Sequence, residues 1–539
     1  MRYRCKRYQV TDELITGQSM KVFKGRPGSL REILERAVTE SPEQEGFICG
    51  ERRWTFGHFG RLLKKLAGSL QEDFGVRKGD RVAILMASDL EYPLSLFAVA
   101  EIGGIGVPLN SRFTGEELAY EINNSESSVL LIDEGFWEVI EPFRGELKTL
   151  KHVFLRGQTM PHGDVLPFSH LVEKGRQAPK EVEIKEDDVA MLMYTSGTTG
   201  HPKGAMQIHR GIIHACMLID DIFESNPERD RMLNVMPMFH SAGTIMCSFA
   251  AVFMRVPCVY MHKYKTERVL ELIEKERVTL MVHVPTIYWL LVNHPEFERY
   301  HLRSLRVAIT GGAPKSRETF EVIRKKMPWT RFVDTFGMTE THTLDFILEH
   351  EEMAENMDSV GRTVPIEEMR IVDRGGKDCG PNVPGEILIK GPKIVAGYWK
   401  NPEGTAETIV DGWLHTGDVG KIDERGFVYV LDRIKDMINR GGENIYSVEV
   451  ENAICRHPCV AEAAVIGVPD DVFGEAVKAY VILKEEDTLT EDGLKNHCRE
   501  HLADYKIPKY VEFVADLPRN EAGKIMKKAL RERYGKARA

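Results

Sequence analysis

Residues Tyr194 to Gly204 read Y-T-S-G-T-T-G-H-P-K-G, a run whose residue types suit the holding of a phosphate. Gly197, Gly200 and Gly204 let a backbone turn tightly and approach a ligand. Thr195, Ser196, Thr198 and Thr199 offer hydroxyls, and Lys203 a cation, to an oxyanion. The obvious rival is the nucleoside-triphosphatase loop G-x-x-x-x-G-K-[ST], from which this run departs. His201 and Pro202 separate Gly200 from Lys203, a glycine follows the lysine, and the proline removes an amide where that other loop needs one. The apolar residues 191–194 just before the run read as a strand.

Five further segments carry groups of the same kind. They are M-P-M-F-H-S-A-G from Met236, D-T-F-G-M-T-E from Asp334, W-L-H-T-G-D from Trp413, R-I-K-D from Arg433 and P-R-N-E-A-G-K from Pro518. Six motifs in this order resemble the adenylate-forming superfamily, which holds acyl-CoA synthetases, peptide-synthetase adenylation domains and beetle luciferases. The resemblance spans essentially the whole chain. It implies two half-reactions in one pocket: a carboxylate attacks the α-phosphorus of ATP to give an acyl-adenylate and pyrophosphate, then a thiol takes the acyl group. No Ser-His-Asp triad is recognisable. None is required, because an organic acid with a pKa of roughly 4 is already ionised at pH 7. Alignment and charge neutralisation then carry the first step.

The resemblance also implies roles. Lys524 bridges the acyl carboxylate and the α-phosphate, Glu340 and Thr195 are partners of Mg2+, and His240 is an aromatic gate beside the acyl and pantetheine channels. Ser196, Gly197, Thr198, Thr199, Gly200 and Lys203 hold the phosphates. Gly312, Ala313, Pro314, Asp334 and Thr335 wall the adenine. Phe336 stacks on it where relatives usually carry tyrosine, and Gly337, Met338 and Thr339 lead on to Glu340. Asp418 accepts from the ribose hydroxyls and Arg433 reaches the ribose or phosphate edge. Lys435 is the hinge about which a small domain rotates, exchanging Lys524 for a face that includes Gly441, Gly442 and Glu443. Ser447 stands where relatives often place proline, and is expected to start a helix as its N-cap.

The elements that must position these groups follow from periodicity. Strand-like runs Arg81 to Met86, Arg231 to Met236, Leu280 to Val284 and Arg306 to Thr310 alternate with amphipathic segments such as Thr266 to Glu276, which predicts α/β sheets. Ser29 with Glu32 opens Leu30 to Val38 as a capping box. Thr55 caps a helix through Leu70, although Gly57 and Gly60 count against that helix. After about Pro365 short strands and Gly/Pro turns predict a β-rich subdomain. The expected fold is an α/β multidomain chain. Its large N-terminal domain, residues 1–431, has two α/β sheet subdomains plus a β-barrel-like one, and after a hinge at 432–435 a small mobile α+β lid spans 436–539.

A chain of 539 residues with 42% hydrophobic residues exceeds a single core. A net charge of −10 disfavours nucleic acid as a partner. The nine cysteines include no C-x-x-C pair and read as reduced thiols, and the basic N-terminus is followed by Asp12 and Glu13 instead of an apolar core. A cytoplasmic protein is expected. The longest uncharged stretch, Ser241 to Met254, is too short to span a bilayer, so any membrane contact is peripheral. His240 follows Phe239 where peptide-synthetase domains typically carry an aspartate for an α-ammonium, which argues against amino acids. Phe239, Ala242, Gly243, Val284, Pro285, Gly311 and Met338 are uncharged candidate walls for an apolar tail. A medium- to long-chain fatty acid leads, with benzoate- or coumarate-type acids as alternatives. CoA is the expected acceptor because no carrier segment follows Lys524. An acyl-AMP ligase loading a separate carrier, a luciferase-type oxidation and a silent nucleotide-binding relative are the remaining readings. Oligomeric state is not legible.

Overall fold

The computed structural model describes residues 2–538 except 159–162, 174–177, 196–201, 314–316, 485–486 and 520–524. By compactness the chain divides into two units. One comprises Met1–Glu368 with Ile389–Leu414, the other Met369–Leu388 with His415–Ala539. Segment 432–435 falls inside the second unit.

In the first unit two large sheets are built from the apolar runs. A seven-stranded sheet has the order Lys203–Ile208, Val189–Thr195, Ile105–Pro108, Arg81–Leu85, Val129–Asp133, His152–Arg156 and Val165–Pro167. All its pairings are parallel except that of the first two strands, an antiparallel edge hairpin. The five residues of Val129–Asp133 are all buried, as a parallel strand covered on both faces requires. A nine-stranded sheet runs Arg362–Thr363, Phe346–Leu348, Arg331–Phe336, Val307–Gly311, Leu280–His283, Met232–Asn234, Cys258–Tyr260, Glu45–Cys49 and Arg52–Thr55. Its five middle pairings are parallel, from Arg331–Phe336 across to Glu45–Cys49.

Helix Thr266–Glu276 occupies the residues expected of it. Thr55 caps Phe56–Gly68 by accepting from the His58 amide at 3.1 Å, and a π-helical turn Ser69–Asp73 follows. The two glycines that counted against this helix have a packing reason. A Cβ at Gly57 would lie 2.9 Å from the Pro42 carbonyl oxygen, and one at Gly60 would lie 2.9 Å from Val38. Their absence lets Phe56–Gly68 close on Leu30–Glu40. The Ser29 capping box is only half formed. Ser29 accepts from the Glu32 amide at 3.3 Å, but the Glu32 carboxylate reaches past it to the Gly28 amide at 2.6 Å.

Strands Glu368–Val372, Gly385–Lys390, Trp413–Ile422, Ile409–Val410 and Val428–Arg433 form a five-stranded sheet where the barrel-like subdomain was expected. The rest of the second unit is α+β. Strands Glu443–Ile445, Ile438–Arg440, Gly474–Leu483 and Val460–Asp470 lie in that order, with Tyr510–Phe513 parallel on Gly474–Leu483. Helices Ser447–Cys455 and Glu491–His501 bury Val450, Ile454, Leu494 and Cys498 against Val465, Val477 and Val481. All nine cysteines are free thiols. Among the described residues no helix is long and apolar enough to cross a membrane.

Candidate active site

The glycine- and hydroxyl-rich run joins the two strands of the edge hairpin. Thr195 ends one strand, Lys203 begins the other, and the two are register partners, with the Thr195 hydroxyl 3.4 Å from the Lys203 carbonyl oxygen. Ser196, Gly197, Thr198, Thr199 and Gly200 lie outside the described residues, as do Pro314 and Lys524. Gly204 faces Tyr194, whose ring a Cβ would meet at 3.2 Å, and the Tyr194 hydroxyl donates to Asn124 Oδ1 at 2.7 Å. The base of the loop is therefore anchored to helix Gly115–Ser125.

Residues 395–399 run alongside the second hairpin strand. The amides of Trp399 and Ala396 donate to Gly204 and Met206, and the Met206 amide donates to Gly397. This places Tyr398 between two sequence motifs. Its ring lies under the Lys203 ammonium at 5.1 Å, and its hydroxyl donates to Glu340 Oε1 at 2.8 Å. The Val395 amide donates to the Glu340 carbonyl at 3.0 Å. Glu340 is 9% exposed, and its Oε2 accepts from no described residue. A buried carboxylate with one oxygen left over is a hard-oxygen donor of the kind Mg2+ takes, and the Thr195 hydroxyl is another of that type. Gln207, buried in the same strand, donates to the Ser241 hydroxyl and to the Thr339 carbonyl, both at 3.1 Å. The first, second and third motifs are thus tied through one amide.

Asp334 and Thr335 lie on strand Arg331–Phe336, both largely buried, and the Thr335 hydroxyl donates to the Thr310 carbonyl at 3.2 Å. The Phe336 ring packs 5.9 Å from Phe346. Gly312 adopts a left-handed φ of +74° at the end of the neighbouring strand, with Ala313 exposed beside it. After Phe336 the chain folds back sharply. The Asp345 amide donates to the Phe336 carbonyl at 2.7 Å, and a Cβ on Gly337 would stand 2.2 Å from the Leu344 nitrogen. Gly337→Ala is therefore expected to cost about 1–3 kcal/mol by overpacking and to slow catalysis through the displaced Glu340 turn. Thermal unfolding with steady-state rates checks both.

His240 precedes a π-helix, Ala242–Phe249, a form that recurs at functional positions. Burial pushes its imidazole down to about 4, with a smaller contribution from Arg112, so the ring is neutral at pH 7. Its Nε2 is buried and has no hydrogen-bond partner among the described residues, while its ring lies 4.6 Å from Phe239. An orphaned nitrogen in an apolar wall suits a group that meets a ligand. Phe239, Gly243 and Pro285 are buried; Ala242, Val284, Gly311 and Met338 are partly so.

In the second unit Asp418 and Arg433 are register partners on adjacent antiparallel strands, with Nε and Oδ1 2.6 Å apart. Asp418 is 2% exposed, and Arg433 is turned to it. Lys435 is exposed, and its carbonyl accepts from Arg531 at 3.3 Å. Gly441 and Gly442, with φ of +62° and +94°, make the two-residue turn between Ile438–Arg440 and Glu443–Ile445, where both positions need a positive φ. Glu443 is exposed at its end. Ser447 corrects an expectation: it is the first helical residue and Tyr446 is the N-cap. Its hydroxyl donates to Asp432 Oδ2 at 2.6 Å and accepts from the Lys527 ammonium at 2.6 Å. The helix start is thereby fastened to Asp432 at the end of strand Val428–Arg433.

The chain matches the model of the AMP-binding enzyme over residues 34–399 and that of the AMP-binding enzyme C-terminal domain over residues 449–524. It is 35% identical to feruloyl-CoA synthase of an Amycolatopsis species, covering 93% of this chain and 98% of the relative. It is 32% identical to a long-chain-fatty-acid–CoA ligase of Salmonella typhimurium, covering 94% of each. Among solved structures, ATP-bound MatB from Rhodopseudomonas palustris superposes with a TM-score of 0.85 at 30% identity, over 94% of this chain and 99% of that one.

Proposed function

We propose a medium- to long-chain fatty acid as the substrate of this chain, which belongs to the AMP-binding enzyme family and is an AMP-forming acid–thiol ligase using ATP, Mg2+ and CoA. The observation that carries the site assignment is the tie from Glu340 through Tyr398 to Lys203 at the base of the phosphate-holding loop. An acyl carboxylate oxygen forms a bond to the α-phosphorus of ATP as the bond to pyrophosphate breaks. The CoA sulfur then bonds the acyl carbon, AMP leaves with the bonding electron pair, and the thiol proton passes to solvent. Glu340 and Thr195 would hold Mg2+, which would neutralise phosphate charge. Lys203 and the loop hydroxyls bind the phosphates, Asp418 the ribose, and Lys524 joins the carboxylate to the α-phosphate.

The uncharged character of Phe239, Ala242, Gly243, Val284, Pro285, Gly311 and Met338 supports an aliphatic tail. An aryl acid is the second reading, favoured by the likeness to feruloyl-CoA synthase. A panel of straight-chain acids, benzoate and hydroxycinnamates assayed for CoA-dependent AMP release separates them. A kcat/KM higher for octanoate or longer acids than for every aryl acid supports the first, and the reverse order the second.

Alternation about 432–435 is part of this reading. The Lys435 N–H makes no backbone hydrogen bond among the described residues, so proline there removes none. It does restrict φ to near −65°. Lys435→Pro is expected to slow thioester formation about 10-fold or more while leaving adenylation within a few-fold, measured as two separate half-reactions. Equal loss in both would remove the hinge from the account.

A further inference from the structure

Behind Glu340 lies a fully buried ammonium with no place in the reaction above. The side chains of Lys393, Asp345 and Glu367 are all 0% exposed, with Lys393 Nζ 3.2 Å from Asp345 Oδ1 and 2.9 Å from Glu367 Oε1. The same ammonium donates to the carbonyls of Thr343 at 2.6 Å and Leu344 at 2.8 Å, with Thr341 at 3.4 Å. Those carbonyls belong to an unusual backbone. His342, Thr343 and Leu344 are three successive non-glycine residues with φ of +57°, +86° and +55°, a region that L side chains disfavour. Only strong external bonds hold such a run.

Lys393 supplies them from both ends of its own residue. Its carbonyl accepts from His342 Nδ1 at 2.6 Å, and His342 Nε2 accepts from the Ile208 amide at 2.9 Å, which fixes the imidazole as the neutral Nδ1–H tautomer. Burial holds that ring down to about 3. Two residues beyond Lys393 comes the amide that holds the Glu340 carbonyl, and five beyond comes the Tyr398 hydroxyl on Glu340 Oε1. Burial raises both the Asp345 and Glu367 carboxyls, against the lowering pull of the Lys393 ammonium.

We propose that Lys393 is a positioning residue for Glu340, its ammonium holding residues 342–344 in the left-handed run that presents the Glu340 carboxylate to the metal–nucleotide complex. This rests on the reading of Glu340 as a partner of Mg2+. A lysine serving the core alone would change stability but not the concentration of Mg2+ required.

The test compares Lys393→Met, Lys393→Met/Glu367→Met and Glu340→Gln in the full chain. Each is measured for thermal midpoint and for the Mg2+ concentration giving half-maximal pyrophosphate exchange with ATP and octanoate, or with whichever acid the panel identifies. In the double variant the ammonium and one of its two carboxyl partners become apolar side chains of similar length, while Asp345 keeps the hydrogen bond from the Thr341 hydroxyl at 2.7 Å and, left without the lysine, is driven by burial toward its neutral acid. The double variant is expected to fold, to need about 10-fold more Mg2+ and to exchange about 100-fold more slowly, the scale of a displacement of about 1 Å at a reacting group. A folded double variant with an Mg2+ requirement within about twofold of the parent overturns the proposal, because a loss on the 1 Å scale would then be missing. Failure of the double variant to fold also overturns it, since Lys393 would then serve the core. An unchanged Mg2+ requirement in Glu340→Gln strikes instead at the reading of Glu340 beneath it.

Discussion

Lys524→Ala is expected to lower acyl-adenylate formation by about two to three orders of magnitude, the scale of removing one donor aimed at developing charge. The first half-reaction brings an anion to a polyanion, so a cation that touches both the carboxylate and the α-phosphate acts where repulsion is greatest. Thioester formation has a different need. Its electrophile is already the mixed anhydride, its leaving group is AMP, and no second phosphate charge has to be met. The variant should therefore convert supplied acyl-adenylate and CoA to thioester at close to the parent rate. Stopped assays of the two half-reactions, one with ATP and acid and one with adenylate and CoA, make the comparison. Equal loss in both would mean that Lys524 serves the fold of the C-terminal segment, where Lys527 already pairs with Glu451 at 2.7 Å.

Glu340→Gln is expected to slow adenylate formation about 100-fold and to raise the Mg2+ requirement, without loss of the folded state. The amide keeps the length of the side chain, and its oxygen can still accept from the Tyr398 hydroxyl, so the strap of residues 395–399 stays in place. What is lost is the negative charge at the oxygen left over for the cation. The loss should be partly recovered by raising Mg2+, since weaker binding and not a missing fold causes it. Titration of the exchange rate against Mg2+ for parent and variant reads this directly. A variant with parental Mg2+ dependence would move the metal away from Glu340.

The motifs were legible because phosphate, ribose and cation chemistry admit few residue types, and those types cluster along the chain. The apolar residues 191–194 read as a strand and lie in Val189–Thr195, but the pairing of Thr195 with Lys203 on a second strand carried no signal of its own. The residues that hold the site were not legible. Tyr398 meets Glu340 across 58 residues and His342 meets the Ile208 amide across 134, and no local period marks such pairs. Lys393 reads in sequence as an ordinary loop lysine, and only the fold buries it. Gly57 and Gly60 were weighed by helix propensity when the contact of two helices decides them. Ser447 was assigned a capping role from its type, whereas the Asp432 carboxylate and the Lys527 ammonium claim its hydroxyl. In each case a long-range partner overrode a local preference.

The most direct test of the central claim is acid-dependent exchange of labelled pyrophosphate into ATP in the absence of CoA, followed by addition of CoA and identification of the nucleotide released. The account predicts exchange that needs both a carboxylic acid and Mg2+, and, once CoA is added, AMP and acyl-CoA in equal amounts. Release of ADP, or nucleotide turnover indifferent to the acid, would contradict it.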